Sequence, residues 1–100
     1  MTPKVIDQHI TISPHVVGGK PRIAGHRITV QDIAIWHEYM GKSADEIAAE
    51  YDVTLADVYA ALVYYFDHKA QINASIEEGK SFIETLERTI QSKVKQKLQR

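Results

Sequence analysis

The chain has 100 residues, of which 44% are hydrophobic and 25% charged, as expected for one globular domain. Its 12 basic and 13 acidic residues give a formal net charge of -1, which removes the simplest argument for a nucleic-acid-binding domain. Cysteine is absent, which excludes disulfide bonds, thiolate metal sites and cysteine nucleophiles. No apolar run reaches the length of a membrane span and no secretory signal is recognisable, so we expect a soluble, cytoplasmic protein without membrane contact.

The charges fall into three blocks along the chain. Residues 1–30 carry a net charge of +3, residues 31–79 a net charge of -8, and residues 80–100 a net charge of +4. Alternating blocks of this kind indicate either solvated faces or terminal segments that fold back onto the middle of the chain.

The first segment, residues 1–30, contains short β-branched stretches separated by glycine and proline. Residues 9–12 and residues 27–30 alternate apolar and polar side chains, which is the period of a half-buried strand. Ala24 and Gly25 lie between Arg22-Ile23 and Arg27-Ile28, where glycine can supply the positive φ of a tight turn. We therefore predict an N-terminal strand or hairpin segment that carries a basic turn.

Helix caps follow from Thr29 onward. Thr29 and Asp32 resemble a capping box, which predicts a first helix that runs to about Met40 and ends at Gly41. We expect four side chains to line the inner face of this helix: Ile33, Trp36, His37 and Met40.

Two further helices complete the middle segment, residues 30–71. Ser43 and Glu46 form a capping box that opens a second helix over residues 44–51, and Thr54 caps a third helix over residues 55–71. A short helix, a three-residue turn and a longer helix form a helix-turn-helix, and the first helix completes a homeodomain-like trihelical core. The inner side chains expected on the second and third helices are Ile47, Ala48, Tyr51, Leu55, Val58, Leu62 and Phe66.

The last segment, residues 72–100, has the pattern of an amphipathic helix with cap candidates at Asn73 and Ser75. Its apolar residues recur at steps of three and four, as in a heptad seam. They are Ile72, Ile76, Gly79, Ile83, Leu86 and Ile90, continued by Val94 and Leu98. This tail has to lie on its own domain, pair with a second copy or dock on another protein. The predicted partner or dimer contacts are Ile76, Phe82, Ile83, Leu86 and Ile90, and the small size of the remaining domain favours a homodimer.

Enzyme signatures are missing from the sequence. The five histidines are scattered without metal-ligand spacing. The stretch from Gly41 to Ser43 lacks the upstream glycine of a phosphate-binding loop, because Trp36 stands at that position. We therefore predict a protein that is not an enzyme and that holds no metal and no cofactor.

The third helix of the predicted trihelical core is the second helix of the helix-turn-helix and is poorly suited to read DNA. Its outward positions lack the Arg, Lys, Asn or Gln that contact bases. The basic turn is better suited, since a basic β-ribbon can enter a groove of DNA. The candidate DNA-binding residues are Lys20, Arg22, His26, Arg27, Lys42 and Thr54. Alternatively, Arg22 and Arg27 pair with acidic residues of the helical core.

Three stretches carry a resemblance to a known family. They are Gly18-Gly19-Lys20-Pro21-Arg22-Ile23-Ala24-Gly25-His26-Arg27-Ile28-Thr29-Val30, Ser43-Ala44-Asp45-Glu46-Ile47 and Tyr64-Tyr65-Phe66-Asp67-His68. The chain resembles, over residues 10–68, the bacterial family labelled domain of unknown function four-three-three. Members of that family look like homeodomain-like helix-turn-helix proteins with an N-terminal strand segment. They are regarded as VapB-type antitoxins that pair with a toxin resembling a PIN-domain ribonuclease.

The resemblance implies a mainly α fold with a trihelical helix-turn-helix core, a short N-terminal strand or hairpin segment and a C-terminal helical tail. It also implies a dimeric type II antitoxin that neutralises a PIN-like toxin through residues 72–100 and binds operator DNA at its own promoter. Two other functions stay open: a stand-alone DNA-binding transcriptional regulator, and a protein-interaction adaptor that does not touch DNA.

Overall fold

The computed structural model describes residues 8–98, with side chains through Lys95. Two strands, β1 (Ile10–Thr11) and β2 (Arg22–Ile23), precede the helices α1 (Val30–Ala34), α2 (Ala44–Tyr51), α3 (Leu55–Asp67) and α4 (Lys69–Leu98). The predicted fold class is confirmed: the protein is mainly helical, with an N-terminal hairpin and a long C-terminal helix. Residues 1–7 of the predicted segment 1–30 and residues 99–100 of the predicted segment 72–100 lie outside the described part of the chain, as does the side chain of Leu98.

The N-terminal hairpin pairs β1 with β2 in antiparallel register, with Ile10 opposite Ile23. The backbone N–H of Ala24 donates to the carbonyl of His9 over 2.7 Å and extends this pairing by one step. Both isoleucines are buried, so the hairpin contributes one apolar face to the core. The small hairpin is therefore held by burial as well as by its ladder.

The prediction of a strand over residues 27–30 is wrong. After β2 the chain turns at Gly25, whose φ of 80° is the expected positive value, and Ile23 N–H donates to the Ile28 carbonyl over 2.8 Å. The returning chain then makes only an isolated bridge between Arg22 and Thr29. Thr29 cannot continue a strand because it is the cap of α1.

The first helix begins at the predicted capping box and ends in an irregular turn. Thr29 Oγ1 accepts from the backbone N–H of Asp32, whose carboxylate accepts from the backbone N–H of Thr29. The α-helical turns of α1 are followed by one turn of π-helix over Ile35–Tyr39, and the chain leaves through Gly41 at φ 73°. The wider turn shifts the side chains that follow it, and Met40 is 59% exposed, contrary to its predicted inward position.

The second and third helices begin at the predicted residues. The bounds of α2 are those predicted, and Ser43 Oγ accepts from the backbone N–H of Glu46. Asp52 ends α2 in the left-handed conformation, and Thr54 caps α3 in a reciprocal capping box with Asp57. Helix α3 is shorter than predicted, because it ends at Asp67.

Helix α3 is the centre of the core. Helices α1 and α2 and both strands contact it. Its inner face buries Val58, Ala61, Leu62 and Tyr65 against apolar residues of the other elements. The main buried partners on those elements are Ile10, Ile23, Val30, Ile33, Ala34 and Ile47. The ring of Trp36 stacks on Tyr51 at 3.8 Å and closes the side of the core formed by α1 and α2.

A hydrogen bond between distant parts of the chain fixes the hairpin to the start of α3. His9 Nδ1 donates to Asp57 Oδ1 over 2.7 Å, and only 15% of the Asp57 side chain is exposed. Partial burial raises the pKa of Asp57, but its hydrogen bonds with His9 and Thr54 outweigh that effect and hold the pKa below its ordinary value. Asp57 is therefore held as a carboxylate that serves the fold.

The chain divides into two compact units, Met1–Lys69 and Ala70–Arg100. The second unit consists of α4, one continuous helix that begins at Lys69. The predicted caps Asn73 and Ser75 therefore lie inside a helix, and that prediction is wrong. The break falls at His68 instead, where Nδ1 donates to the carbonyl of Tyr64 over 3.0 Å and the imidazole stacks on the Tyr64 ring.

The core predicts a large loss of stability on truncation of Ile47. The side chain of Ile47 is fully buried, so Ile47→Ala removes apolar contacts and leaves a cavity, at a cost of about 2–5 kcal/mol in the free energy of unfolding. Met40→Ala, at an exposed position, should change it by less than about 0.5 kcal/mol. Urea unfolding followed by circular dichroism measures both values. Similar losses for the two variants would contradict this core.

The bond between His9 and Asp57 predicts an acid-dependent loss of stability. Because the pKa of folded Asp57 lies below its ordinary value of 3.8, the unfolded chain binds this proton more readily than the folded chain. The contribution of Asp57 is therefore present above that ordinary value and is lost as the pH falls through the folded pKa.

Urea midpoints between about pH 6 and about pH 3 test this prediction with Asp57→Asn. The wild-type protein should lose more stability over that range than Asp57→Asn does. Asp67→Asn, which removes an exposed carboxylate at the other end of α3, should follow the wild type. Parallel curves for the wild type and Asp57→Asn would overturn the prediction.

Candidate interaction surfaces

The basic turn around β2 divides into exposed and committed residues. Lys20 and Arg27 are exposed, and His26 is half-buried. Arg22 is half-buried and holds the turn together, because its guanidinium donates to the carbonyl of His26 over 2.8 Å and to Ser13 Oγ over 3.3 Å. Lys20 and Arg27 are therefore the cations of this turn that are accessible to a ligand, while Arg22 shapes the backbone that presents them.

The two other candidate DNA contacts lie beside α2 and α3. Lys42 Nζ donates to Glu50 over 2.7 Å and lies 5.6 Å from the centre of the Tyr51 ring. The hydrogen bond that Lys42 donates to the Glu50 carboxylate raises the pKa of Lys42 above its ordinary value, so the ammonium is charged but already paired. Thr54 is exposed, although its hydroxyl is used to cap α3. Both side chains therefore already hold a partner within the chain, Glu50 for Lys42 and the backbone N–H of Asp57 for Thr54.

The outward side of α3 is apolar. Four large side chains recur on it at steps of four, four and three, and each is exposed by 39% or more: Leu55, Tyr59, Val63 and Phe66. We call this set the α3 face. Exposed apolar stripes of this kind are characteristic of surfaces that bind another protein.

The prediction that Leu55 and Phe66 lie in the core is wrong, because both side chains are exposed and belong to the α3 face. The signal was present in the composition of the helix. Residues 58–66 form an unbroken apolar run, and a helix turns its side chains through every direction within four residues. Such a run cannot face one core only, so a second apolar side was to be expected.

A second apolar stripe lies on the C-terminal helix. Its members are at least 44% exposed: Phe82, Ile83, Leu86, Ile90 and Val94. We call this set the tail face. Ile76, which was predicted to belong to the same surface, differs because it is only 3% exposed. The accessible part of the predicted partner surface therefore begins at Phe82.

The two faces lie in regions of opposite charge. Residues 44–67, which contain α2 and α3, hold six acidic residues and no lysine or arginine. Residues 80–100 hold six basic residues against two glutamates, a net charge of +4. One face is thus apolar in an acidic setting, and the other is apolar in a basic setting.

The described residues offer little else that points to chemistry. Within residues 8–98 no three histidine, aspartate or glutamate side chains are grouped so that they could hold a metal ion. Among the described helices, none is both long enough and apolar enough to span a bilayer. The candidate functional surfaces are therefore the basic turn, the α3 face and the tail face.

The family model described as "Protein of unknown function (DUF433)" matches residues 10–65, which run from β1 almost to the end of α3. The chain is also similar to a solved structure, the crystal structure of a DUF433 member protein from Anabaena variabilis ATCC 29413 at 2.00 Å resolution. The two share 33% sequence identity, and the match covers 72% of this chain and 71% of that chain with a TM-score of 0.64. No curated protein matches the chain. Since the family model spans more than half of the sequence, the chain belongs to the DUF433 family.

Proposed function

We propose that this protein is a dimeric, cytoplasmic type II antitoxin that binds a small PIN-like toxin through its C-terminal helix. The observation that carries the proposal is the tail face, an exposed apolar stripe from Phe82 to Val94 on a helix that forms a unit of its own. An amphipathic helix binds by laying such a stripe into an apolar groove of its partner. Ile83, Leu86 and Ile90 are the anchors of this contact.

The charges of the tail support a nuclease-like partner. Arg88, Lys93 and Lys95 lie on the same helix as the anchors and are exposed. Metal-dependent nucleases bind their cations with clusters of carboxylates, so a basic helix is attracted to the mouth of such a site. The helix of the antitoxin would then cover the entrance of the toxin's active site, and its positive charges would interact with the carboxylates there.

The test of this proposal is capture of the partner from the cells that make the protein, followed by an activity assay. The tagged full-length chain is purified at moderate salt, and a stoichiometric co-purifying protein is separated under denaturing conditions, refolded and assayed for ribonuclease activity. We expect the refolded partner to cleave RNA and added wild-type chain to inhibit it. The triple variant Ile83→Ser, Leu86→Ser, Ile90→Ser should inhibit at least about 100-fold less well, since several apolar anchors of a helix-in-groove contact are lost.

Matched controls separate this effect from a loss of folding. Ala74→Ser lies on the same helix at an exposed position outside the tail face, and it should inhibit like the wild type. The triple variant must keep the thermal unfolding curve of the Met1–Lys69 unit. A partner without ribonuclease activity, or full inhibition by the triple variant, would rule out the proposed antitoxin mechanism.

Operator binding through the basic turn is the second candidate function, favoured by the exposure of Lys20 and Arg27. These two cations per chain provide four phosphate contacts in a dimer. Each contact that is lost reduces the slope of log K against log salt by about 0.9 for duplex DNA. For promoter DNA, Lys20→Ala with Arg27→Ala should therefore flatten the slope by about 3–4.

A charge-matched pair of substitutions provides the control for this titration. Arg88→Ala with Lys93→Ala removes the same number of positive charges from α4 and, at a concentration where sedimentation shows this variant to be a dimer, should leave the salt dependence unchanged. Equal slopes for the wild type and the basic-turn variant would show that the turn does not contact DNA.

A further inference from the structure

We infer that the α3 face of one chain is covered by the tail face of a second copy, and that a two-fold axis repeats this contact in the opposite direction. This inference takes up the homodimer of the proposed function and assigns its surfaces. In each chain the α3 face is Leu55, Tyr59, Val63 and Phe66, and the tail face runs from Phe82 to Val94. Both faces are exposed within a single chain, so each lacks a cover until another molecule supplies one.

Charge decides between this arrangement and pairing of like faces. Packing α3 faces together would bring two acidic regions, residues 44–67 of each copy, against one another, with Lys69 over the Phe66 ring as a cation at one end of each face. Packing tail faces together would oppose two basic segments, residues 80–100. Placing the tail of one copy on α3 of the other brings opposite charges together in both contacts, and complementary charge favours that register.

The area of the two faces also fits a stable dimer. Each copy contributes four side chains from α3 and five from the tail, all exposed by between 39% and 65%. If the two contacts bury these side chains completely, roughly 1,700 Å² of surface is removed from solvent, summed over both copies. This lies within the range of about 1,200–2,000 Å² for specific interfaces. Pairing α3 faces alone would bury less than half of that area.

Geometry favours helix-to-helix packing at each contact. The α3 face repeats at steps of four, four and three, and the tail face continues at steps of three and four from Ile83. Stripes of this spacing interdigitate when two helices cross at a small angle. Phe66 and Phe82 are the bulkiest apolar side chains of the two faces, and both are more than half exposed in the single chain.

The test uses one substitution on each face of the full-length chain. Val63→Glu places a charge in the α3 face, and Leu86→Glu places one in the tail face; both positions are already exposed, so the fold should tolerate them. Sedimentation equilibrium at about 20 μM should give a dimer for the wild type and a monomer for each variant, because each substitution damages both symmetric contacts. Ala49→Glu and Ala74→Glu add the same charge at exposed positions on α2 and α4 outside the two faces, and both should stay dimeric.

Mixing the two variants distinguishes the reciprocal contact from pairing of like faces. The Val63→Glu chain keeps an intact tail and the Leu86→Glu chain keeps an intact α3 face, so an equimolar mixture restores one of the two contacts. Native mass spectrometry at about 100 μM should show a heterodimer, held at least about 10-fold more weakly than the wild-type dimer because half of the interface is missing. Pairing of like faces predicts instead that one variant stays dimeric by itself, because Leu86→Glu leaves α3-to-α3 pairing intact and Val63→Glu leaves tail-to-tail pairing intact. A homodimer of one variant in place of the heterodimer, or a mixture that stays monomeric, would overturn the inference. A monomeric wild type, or variants that remain dimeric, would overturn it as well.

The same variants separate this inference from the antitoxin proposal. Val63→Glu leaves the tail face intact, so it should lose the dimer but still inhibit the captured ribonuclease. If Val63→Glu loses the dimer and still inhibits fully, both the dimer inference and the antitoxin proposal are supported. If the wild-type chain forms the dimer but captures no ribonuclease, the dimer inference is supported and the antitoxin proposal is wrong.

Discussion

The fold depends on one helix that is apolar on nearly every side. Helix α3 supplies Val58, Leu62 and Tyr65 to the core, and α1, α2 and the hairpin all pack on that side of it. Two short helices and a two-residue ladder cannot surround it completely. The uncovered side is apolar as well, so the packing of the core leaves an exposed apolar surface, the α3 face, of the kind that binds other proteins.

The start of α3 is held in position by polar contacts within the chain. Thr54 and Asp57 cap it, and His9 on the hairpin binds the Asp57 carboxylate. In a helix-turn-helix this end of the second helix contacts base edges. Here its polar side chains are engaged in capping and in holding the hairpin, and the outward residues are apolar. The polar groups at the start of α3 therefore serve the fold, and its outward residues form the exposed apolar α3 face.

Local signals in the sequence predicted most of the helix starts. Thr29, Ser43 and Thr54 were recognised as caps because a side-chain oxygen that accepts a backbone N–H three residues later is a local interaction. Tertiary effects were not predictable in the same way. Phe66 was assigned to the core because it fits one helical period, although its helix carries two apolar stripes. The break at His68 was missed, since a stacked imidazole replaces the glycine or proline that usually marks a helix end.

The candidate surfaces were predicted unequally for the same reason. Periodicity predicts the apolar stripe with Ile83, Leu86, Ile90 and Val94, but it does not show that Ile76 of the same stripe is buried. The α3 face required knowing which side of an all-apolar helix the rest of the fold covers. If both faces meet in the dimer, the tail face cannot bind a second copy and a toxin at the same time. The dimer then has to dissociate before the tail face can bind the toxin, so a tighter dimer lowers the apparent affinity for the toxin. Toxin binding in turn leaves the α3 face of each chain exposed.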